Sequence, residues 1–367
     1  MQKKIKQYTF KNSGKTAILI TDNFKTVKGK IFDYAPEADK ICLITDTFCH
    51  KTFNNKITEI KKLNSAQTKV FVFPKQKEIK NFDSYVKLME FLFKNGFGRN
   101  SLIIALGGGA VTDIAGFAAA TFMRGIDWIS MPTTLLSQID AGIGGKTAIN
   151  ISQAKNMAGN FHQPVLTVCD ISFLKYLSKK ETLSGMGEFI KYLLIMPPKQ
   201  SSGLKKLIEK LISLDEKSLF KAVCECDEFK MKIVLKDEKD KKSIREILNL
   251  GHTAGHAFEA LSRGSLTHGA AIIWGMRFVY FLSLKLINTD KKYHRDIENL
   301  LWQIKLPALK KSCSNFKDFY NLIHNDKKTG PYKNRFILIK KPGALEAKNN
   351  IAEKILKETL EKLCRYS

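Results

Sequence analysis

Apolar residues cluster in the first half of the chain as short, β-rich runs separated by helical spacing. Ile41-Cys42-Leu43-Ile44-Thr45 reads as a strand ending at Asp46, and Val70-Phe71-Val72-Phe73 as a second, closed by Pro74. Between 82 and 95, Tyr85, Leu88, Phe91 and Leu92 recur at helical intervals. Leu102-Ile103-Ile104-Ala105-Leu106 has no polar interruption, as expected of a parallel strand covered on both faces. Glycines 107–109 follow, then a small-residue helix through Ala120, then a strand at Trp128-Ile129-Ser130-Met131 stopped by Pro132. Such alternation predicts an open α/β sheet with ligands at the carboxyl ends of its strands. From about Ser172 helical periodicity takes over, at 181–195, 203–213, 216–235, 246–262, 268–288, 292–303 and 351–364; Phe336–Ile339 is the best remaining strand signal. The pattern predicts two domains, an α/β domain over 1–168 and a mainly α-helical domain over 169–367. The charged stretch 236–245 reads as an exposed loop or helix end.

Composition narrows the function classes. The 367 residues are 44% hydrophobic and 26% charged, enough apolar material for two cores, which excludes a disordered chain. No apolar run approaches the ~18 residues that span a bilayer, and the basic N-terminus has no apolar stretch behind it, so a cytoplasmic protein is expected. Seven scattered cysteines without a CxxC fit a reducing compartment. The net charge of +26 suits either nucleic acid or an anionic small substrate. The lysines are dispersed and no nucleic-acid-binding motif accompanies them, so the second reading is preferred.

Three segments carry candidate chemistry. Gly107-Gly108-Gly109-Ala110-Val111-Thr112-Asp113 follows a strand and opens a helix, a place where backbone amides can meet a pyrophosphate. It is not a full dinucleotide fingerprint, because Thr112 stands where the third glycine belongs. Gly144-Gly145-Lys146-Thr147 looks like the end of a P-loop, but its first glycine would fall on Asp140; a glycine turn presenting Lys146 to a phosphate remains. Third, Glu188 and Lys191 share one helical face, His252 and His256 lie at i, i+4, and His268 opens another helix. A carboxylate with histidines suits a catalytic zinc, and spacing alone favours His252 with His256 as the ligand pair. Lys230, Arg245, Asn249, Lys327 and Lys328 form a cation and amide set, though charged helices produce such spacing by chance.

Taken together, these strings resemble the 3-dehydroquinate synthase family of sugar-phosphate cyclases. The matching segments are GGGAVTDIAGFAAATFMRGIDWISMPTTLLSQIDAGIGGKTAIN (107–150), KNMAGNFHQP (155–164), GMGEFIKY (185–192), LNLGHTAGHAFE (248–259), HGAA (268–271) and NDKK (325–328). The resemblance covers about 100 to about 340, and the first hundred residues match loosely. It implies an α/β NAD-binding domain followed by a helical metal- and substrate-binding domain. The implied reaction turns 3-deoxy-D-arabino-heptulosonate 7-phosphate into 3-dehydroquinate and phosphate, a step of the shikimate pathway to aromatic amino acids. In that family a hydroxyl is oxidised by NAD, phosphate is eliminated, the ketone is reduced back, and an intramolecular aldol step closes the carbocycle.

The resemblance also implies residue roles. The metal, Zn2+ or Co2+, would be held by Glu188, His252 and His268, leaving His256 to contact substrate. Lys146, Lys191, His256, Asp140 and Asp240 would be catalytic; Arg124, Asn156, Lys230, Arg245, Asn249, Lys327 and Lys328 would bind substrate. Asp46, Lys80, Gly108, Gly109, Asp113, Thr133, Thr134 and Lys155 would contact the nucleotide. Arg124 would reach across a homodimer interface. The chain departs from the family at Lys77, where a glutamate is usual, at Ala254 and Ala270, and by one extra residue between Asp240 and Arg245. Two other enzyme readings stand beside this one, another sugar-phosphate cyclase and a metal-dependent polyol dehydrogenase. Arg245 and Asn249 weigh against the first, because they suit a carboxylate-bearing substrate.

Overall fold

The computed structural model describes residues 2–63, 67–74, 79–152, 154–197, 203–324 and 332–366. The chain divides into two units, Met1–Leu177 with Glu216–Lys239, and Ser178–Asp215 with Asp240–Ser367. The division lies beyond the 168/169 boundary expected from the sequence. Leu166–Asp170 is an inner strand of the first unit's sheet, and the turn after it sends Phe173 into the same core. The helix Glu216–Lys236 also belongs to the first unit, packing beside the strands 3–10 and 14–21.

The first unit is built on a seven-stranded sheet. Its strands are β1 (Lys3–Phe10), β2 (Gly14–Thr21), β3 (Lys40–Asp46), β4 (Gln67–Phe73), β5 (Leu102–Gly107), β6 (Trp128–Pro132) and, after a separate hairpin of β7 (Lys146–Ile151) and β8 (Ala154–Phe161), β9 (Leu166–Asp170). The order is β1-β2-β9-β6-β5-β3-β4, with every pairing parallel except β1 to β2. The uninterrupted apolar run of β5 is explained by its two covered faces. Leu102, Ile104 and Leu106 pack with Leu19, Leu43 and Ile129, while Ile103 and Ala105 face Val111, Ile114 and Leu88. Pairing of Thr45 with Leu106 and of Gly107 with Pro132 brings Asp46, Gly108 and Thr133 to one carboxyl edge. The hairpins β1–β2 and β7–β8 were outside the elements expected from the sequence.

The second unit is mainly helical. The helix Lys179–Ile195 opens on a capping box in which Ser178 and Glu181 satisfy each other's amides. The stretch expected as one helix over 246–262 is two pieces. A 3-10 turn spans Ile244–Asn249, Gly251 takes φ 77°, and the helix His252–Leu261 begins after it. The helix His268–Leu286 is apolar enough to cross a membrane, with mean hydropathy 1.3, but 83% of that window is buried inside the protein. It is a core helix, and its apolar residues are its packing surface. The segment 236–245, expected to be exposed, holds two buried carboxylates, Asp237 and Glu238, the latter bonded to Asn12 and Ser13 within the first unit.

Three helices of the second unit meet backbone to backbone. A Cβ on Gly269 would lie 1.9 Å from the Ser184 carbonyl oxygen, and one on Gly187 would lie 2.2 Å from that of Gly269. A Cβ on Gly275 would lie 2.0 Å from the Gly251 carbonyl oxygen. No side chain fits there, so Gly269→Ala is expected to destabilise the protein by about 1–3 kcal/mol or more, as overpacking does. Gly98, with nothing within 4 Å of its hypothetical Cβ, provides the control. Gly98→Ala should change stability by no more than about 0.5 kcal/mol in denaturant titration.

Candidate functional site

The glycine contacts place four donors together in the second unit. Glu188 projects from the Lys179–Ile195 helix, His252 and His256 from one face of the next, and His268 from the first turn of the third. Ring nitrogens of the three histidines lie within 4.8 Å of one another. Glu188 Oε1 is 3.1 Å from His268 Nε2 and 3.5 Å from His252 Nε2. Each of these two imidazoles is anchored through its other nitrogen: His252 Nδ1 donates to the Leu250 carbonyl at 3.2 Å, and His268 Nδ1 donates to Glu259 Oε2 at 3.1 Å. Both Nε2 atoms therefore face the carboxylate. This is the donor chemistry of a zinc or cobalt site, and the partly buried, preoriented cluster fits such an ion.

The electrostatics agree. Glu188 is buried, which opposes its charge, yet the Lys191 ammonium and His252 and His268 hold its carboxyl well below the usual range. Lys191 is fully buried, with Nζ 2.5 Å from Glu188 Oε2, so one carboxylate oxygen is held by the lysine while the other meets the imidazoles. Burial pulls the His268 imidazole down, but hydrogen bonds to Glu188 and Glu259 outweigh it and raise its pKa to about 9. Glu259 escaped the sequence reading. Its signal was present: it lies at i+7 from His252, on the face that carries His256 at i+4. In the same unit Arg245 is buried, and Asn249 and Asp240 are half-buried, Asp240 with φ 52°. Lys327 and Lys328 lie outside the described residues, as does Lys77.

The first unit gathers the residues expected at a nucleotide and a phosphate. Gly108 is the N-cap of the helix Gly109–Thr121 and has no side chain to cap it. Cβ atoms on Gly108 and Gly109 would come within 3.3 Å of Thr134 Cγ2 and Ala141 Cβ. An N-terminus without a side-chain cap at the carboxyl edge of a parallel sheet suits a dinucleotide's pyrophosphate. Asp46 already caps the helix Thr47–Thr52, accepting from the Cys49 amide at 2.8 Å. Thr133 is buried, its amide donating to Gly107, and the Thr134 and Ser137 hydroxyls are paired. Lys80 bonds both Asp113 and Asn156, joining residues expected at the nucleotide and at the substrate. Burial raises the Asp113 carboxyl against the pull of Lys80. Lys230 Nζ donates to the Asp140 carbonyl at 2.6 Å and to its carboxylate. Lys146 and Lys155 are exposed on the β7–β8 hairpin, Lys146 following Gly144 and Gly145, both with positive φ. Arg124 is exposed, with φ 70°.

Comparison with known proteins is consistent across the chain. The family model described as 3-dehydroquinate synthase N-terminal matches residues 70–184, and that described as 3-dehydroquinate synthase C-terminal matches 185–329. The 3-dehydroquinate synthase of Alkaliphilus metalliredigens is 39% identical over 332 residues, 90% of this chain and 89% of its own length. That of Thermoanaerobacter pseudethanolicus is 37% identical over 330 residues, covering 90% and 92%. Among solved structures, a 2-deoxy-scyllo-inosose synthase complexed with carbaglucose-6-phosphate, NAD+ and Co2+ superposes with a TM-score of 0.87 at 24% identity, covering 98% of this chain and 100% of that one. The 2-epi-5-epi-valiolone synthase of Streptomyces hygroscopicus, with NAD+ and Zn2+ bound, gives 0.85 at 18% identity, covering 95% and 97%. An iron-containing alcohol dehydrogenase gives 0.63 at 13% identity, covering 96% and 98%. The shared fold is that of sugar-phosphate cyclases, with a parallel α/β unit and a helical unit.

The raised pKa of His268 sets a pH signature. An imidazolium stabilised in the folded state contributes fully below the ordinary value of 6.5, and the contribution is lost as pH rises through about 9. Metal-free protein is therefore expected to lose thermal stability across that window. Zinc requires the neutral ring, so calorimetric titration at pH 7 in buffers of different ionisation enthalpy should report release of about one proton from this histidine.

Proposed function

The chain belongs to the 3-dehydroquinate synthase family, and on that premise we propose that it converts 3-deoxy-D-arabino-heptulosonate 7-phosphate to 3-dehydroquinate and phosphate. It does so as an NAD- and divalent-metal-dependent carbon–oxygen lyase. The observation that carries this reading is the Glu188 carboxylate shared by two preoriented imidazole nitrogens. Glu188, His252 and His268 hold the metal, as the anchoring of both Nδ1 atoms supports, and His256 is left to meet substrate. When bound, the metal would supply Lewis-acid polarisation of the hydroxyl and ketone, and NAD would supply a hydride acceptor and donor.

The remaining residues supply binding and orientation. Gly108 and Gly109 let the nucleotide's pyrophosphate approach the helix N-terminus, with Asp46, Lys80, Asp113, Thr133, Thr134 and Lys155 around the rest of the cofactor. Lys146, Asn156 and Lys230 meet anionic groups of the substrate, and so do Arg245, Asn249, His256 and the Lys327–Lys328 pair. Arg124 completes the phosphate site of a second subunit in a homodimer. Asp140 fixes the Lys230 ammonium by two acceptors, so that cation is preoriented. Lys191 holds Glu188 in its charged form, and Asp240 lies on the hydroxyl side of the substrate. Elimination needs no dedicated strong base here, since the leaving phosphate can take the proton while these groups stabilise charge. A cytoplasmic location belongs to the same proposal.

Inorganic phosphate release from 3-deoxy-D-arabino-heptulosonate 7-phosphate, assayed with and without NAD and zinc, tests the reading. Release that needs NAD, is abolished by chelator and yields 3-dehydroquinate is the expected result. No release from protein with NAD and metal bound would assign the chain to another cyclase substrate, and free NADH accumulating from a polyol would assign it to a dehydrogenase. His252→Ala and Glu188→Ala should lose both metal and turnover. His256→Ala should keep the metal and lose turnover, and loss of both there would move His256 into the ligand set.

A further inference from the structure

We infer that Glu259 is a positioning residue of the metal centre, fixing His268 in the tautomer that offers Nε2 to the ion; this rests on the metal reading above. Glu259 Oε2 accepts from His268 Nδ1 at 3.1 Å, and the opposite nitrogen of the same ring faces Glu188 at 3.1 Å. A neutral imidazole has one donor nitrogen and one acceptor nitrogen, so a carboxylate on Nδ1 assigns the lone pair to Nε2. His252 reaches the same state by another route, since its Nδ1 donates to the Leu250 carbonyl. The two ligand rings are thus set by different kinds of acceptor. His252 relies on backbone, which no substitution removes, whereas His268 relies on one side chain that can be altered.

The placement explains why the carboxylate comes from position 259. His268 is the first residue of its helix and its side chain is 30% exposed, so the helix alone does not fix the ring. Glu259 sits two turns beyond His252 in the neighbouring helix, which is held against the His268 helix through Gly255, whose Cβ would lie 3.1 Å from the Ala271 carbonyl oxygen. The same close approach that brings the ligands together therefore brings the orienting carboxylate within reach. An anionic acceptor also raises the basicity of the ligating nitrogen, which a carbonyl does less strongly.

The test measures zinc affinity of the full chain by competition with a chromophoric chelator, with the tautomer of His268 read by nitrogen-15 NMR of the zinc-loaded protein. Glu259→Ala should weaken zinc binding by about 10–100-fold. Glu259→Gln, whose amide oxygen still accepts from Nδ1, should recover part of that loss. The wild-type spectrum should show His268 protonated on Nδ1 and bound through Nε2. Equal affinities in wild type and Glu259→Ala, or coordination through Nδ1, would overturn the inference while leaving the metal site intact. A wild-type chain that binds no zinc would overturn the metal reading itself. If Glu259→Ala does not fold, as thermal melts would reveal, the Gln variant and the wild-type tautomer still decide the matter.

Discussion

Everything distinctive in the helical unit depends on how closely three helix backbones approach one another. Ordinary helix packing holds axes 8–10 Å apart through interleaved side chains. Here Gly187 meets Gly269, and Gly251 meets Gly275, at distances where a single methyl would collide with a carbonyl oxygen. The donors are short: a glutamate and three imidazoles, none with the reach of a lysine. Close contact of this kind brings three imidazoles from two helices within 4.8 Å of one another, and the carboxylate of a third helix within 3.5 Å of two of them. The glycines beside each of these side chains therefore act as geometry-setting residues. Their conformational freedom matters only at Gly251, where φ is 77° and a new helix starts immediately before His252.

Gathering these groups carries an electrostatic cost that the surroundings offset. A carboxylate at the position of Glu188, almost wholly buried, would be strongly disfavoured alone. It is surrounded on one oxygen by an equally buried ammonium and on the other by two imidazoles. The arrangement resembles a half-neutralised ion nest, and its charges are mutually dependent. The first unit repeats the device on a smaller scale, with Lys230 against Asp140 and Lys80 against Asp113 and Asn156. Both ammonium groups are held in place by acceptors of the chain itself.

The parallel sheet was legible because its inner strands bury both faces and leave apolar runs, unbroken at 102–106 and interrupted only by Ser130 at 128–131. The hairpins were not. Strand β1 alternates exposed and half-buried positions, but Lys4 and Lys6 take half-buried ones and Ile5 an exposed one, and β8, with the sequence AKNMAGNF, has little apolar or β-branched character and lies largely exposed. The break at Gly251 was hidden because the periodicity on either side of it is helical. For the site, spacing favoured His252 with His256, as i, i+4 pairs on one helix always will. The anchors that distinguish His252 and His268, a carbonyl at Leu250 and the carboxylate of Glu259, are hydrogen bonds formed after folding. The proposed set of Glu188, His252 and His268 came from resemblance, whereas the hydrogen bonds that orient His252 and His268 are visible only in three dimensions.

The helix Glu216–Lys236 belongs to the α/β unit although 38 residues before it, Ser178–Asp215, belong to the other. It buries Leu219, Val223, Cys226, Met231 and Val234 there, and Glu238 behind it bonds Asn12 and Ser13. During synthesis from the N-terminus, the seven-stranded sheet is finished long before the helix that covers its β1–β2 end emerges from the ribosome. The nascent chain must pass through a stage in which that apolar surface is open while a fragment of the second unit is already present and has nothing yet to fold against. The first unit can be completed only once Lys239 is made, although 38 residues of the second unit precede its last helix. The chain is not an assembly in which the first half is finished before the second is begun.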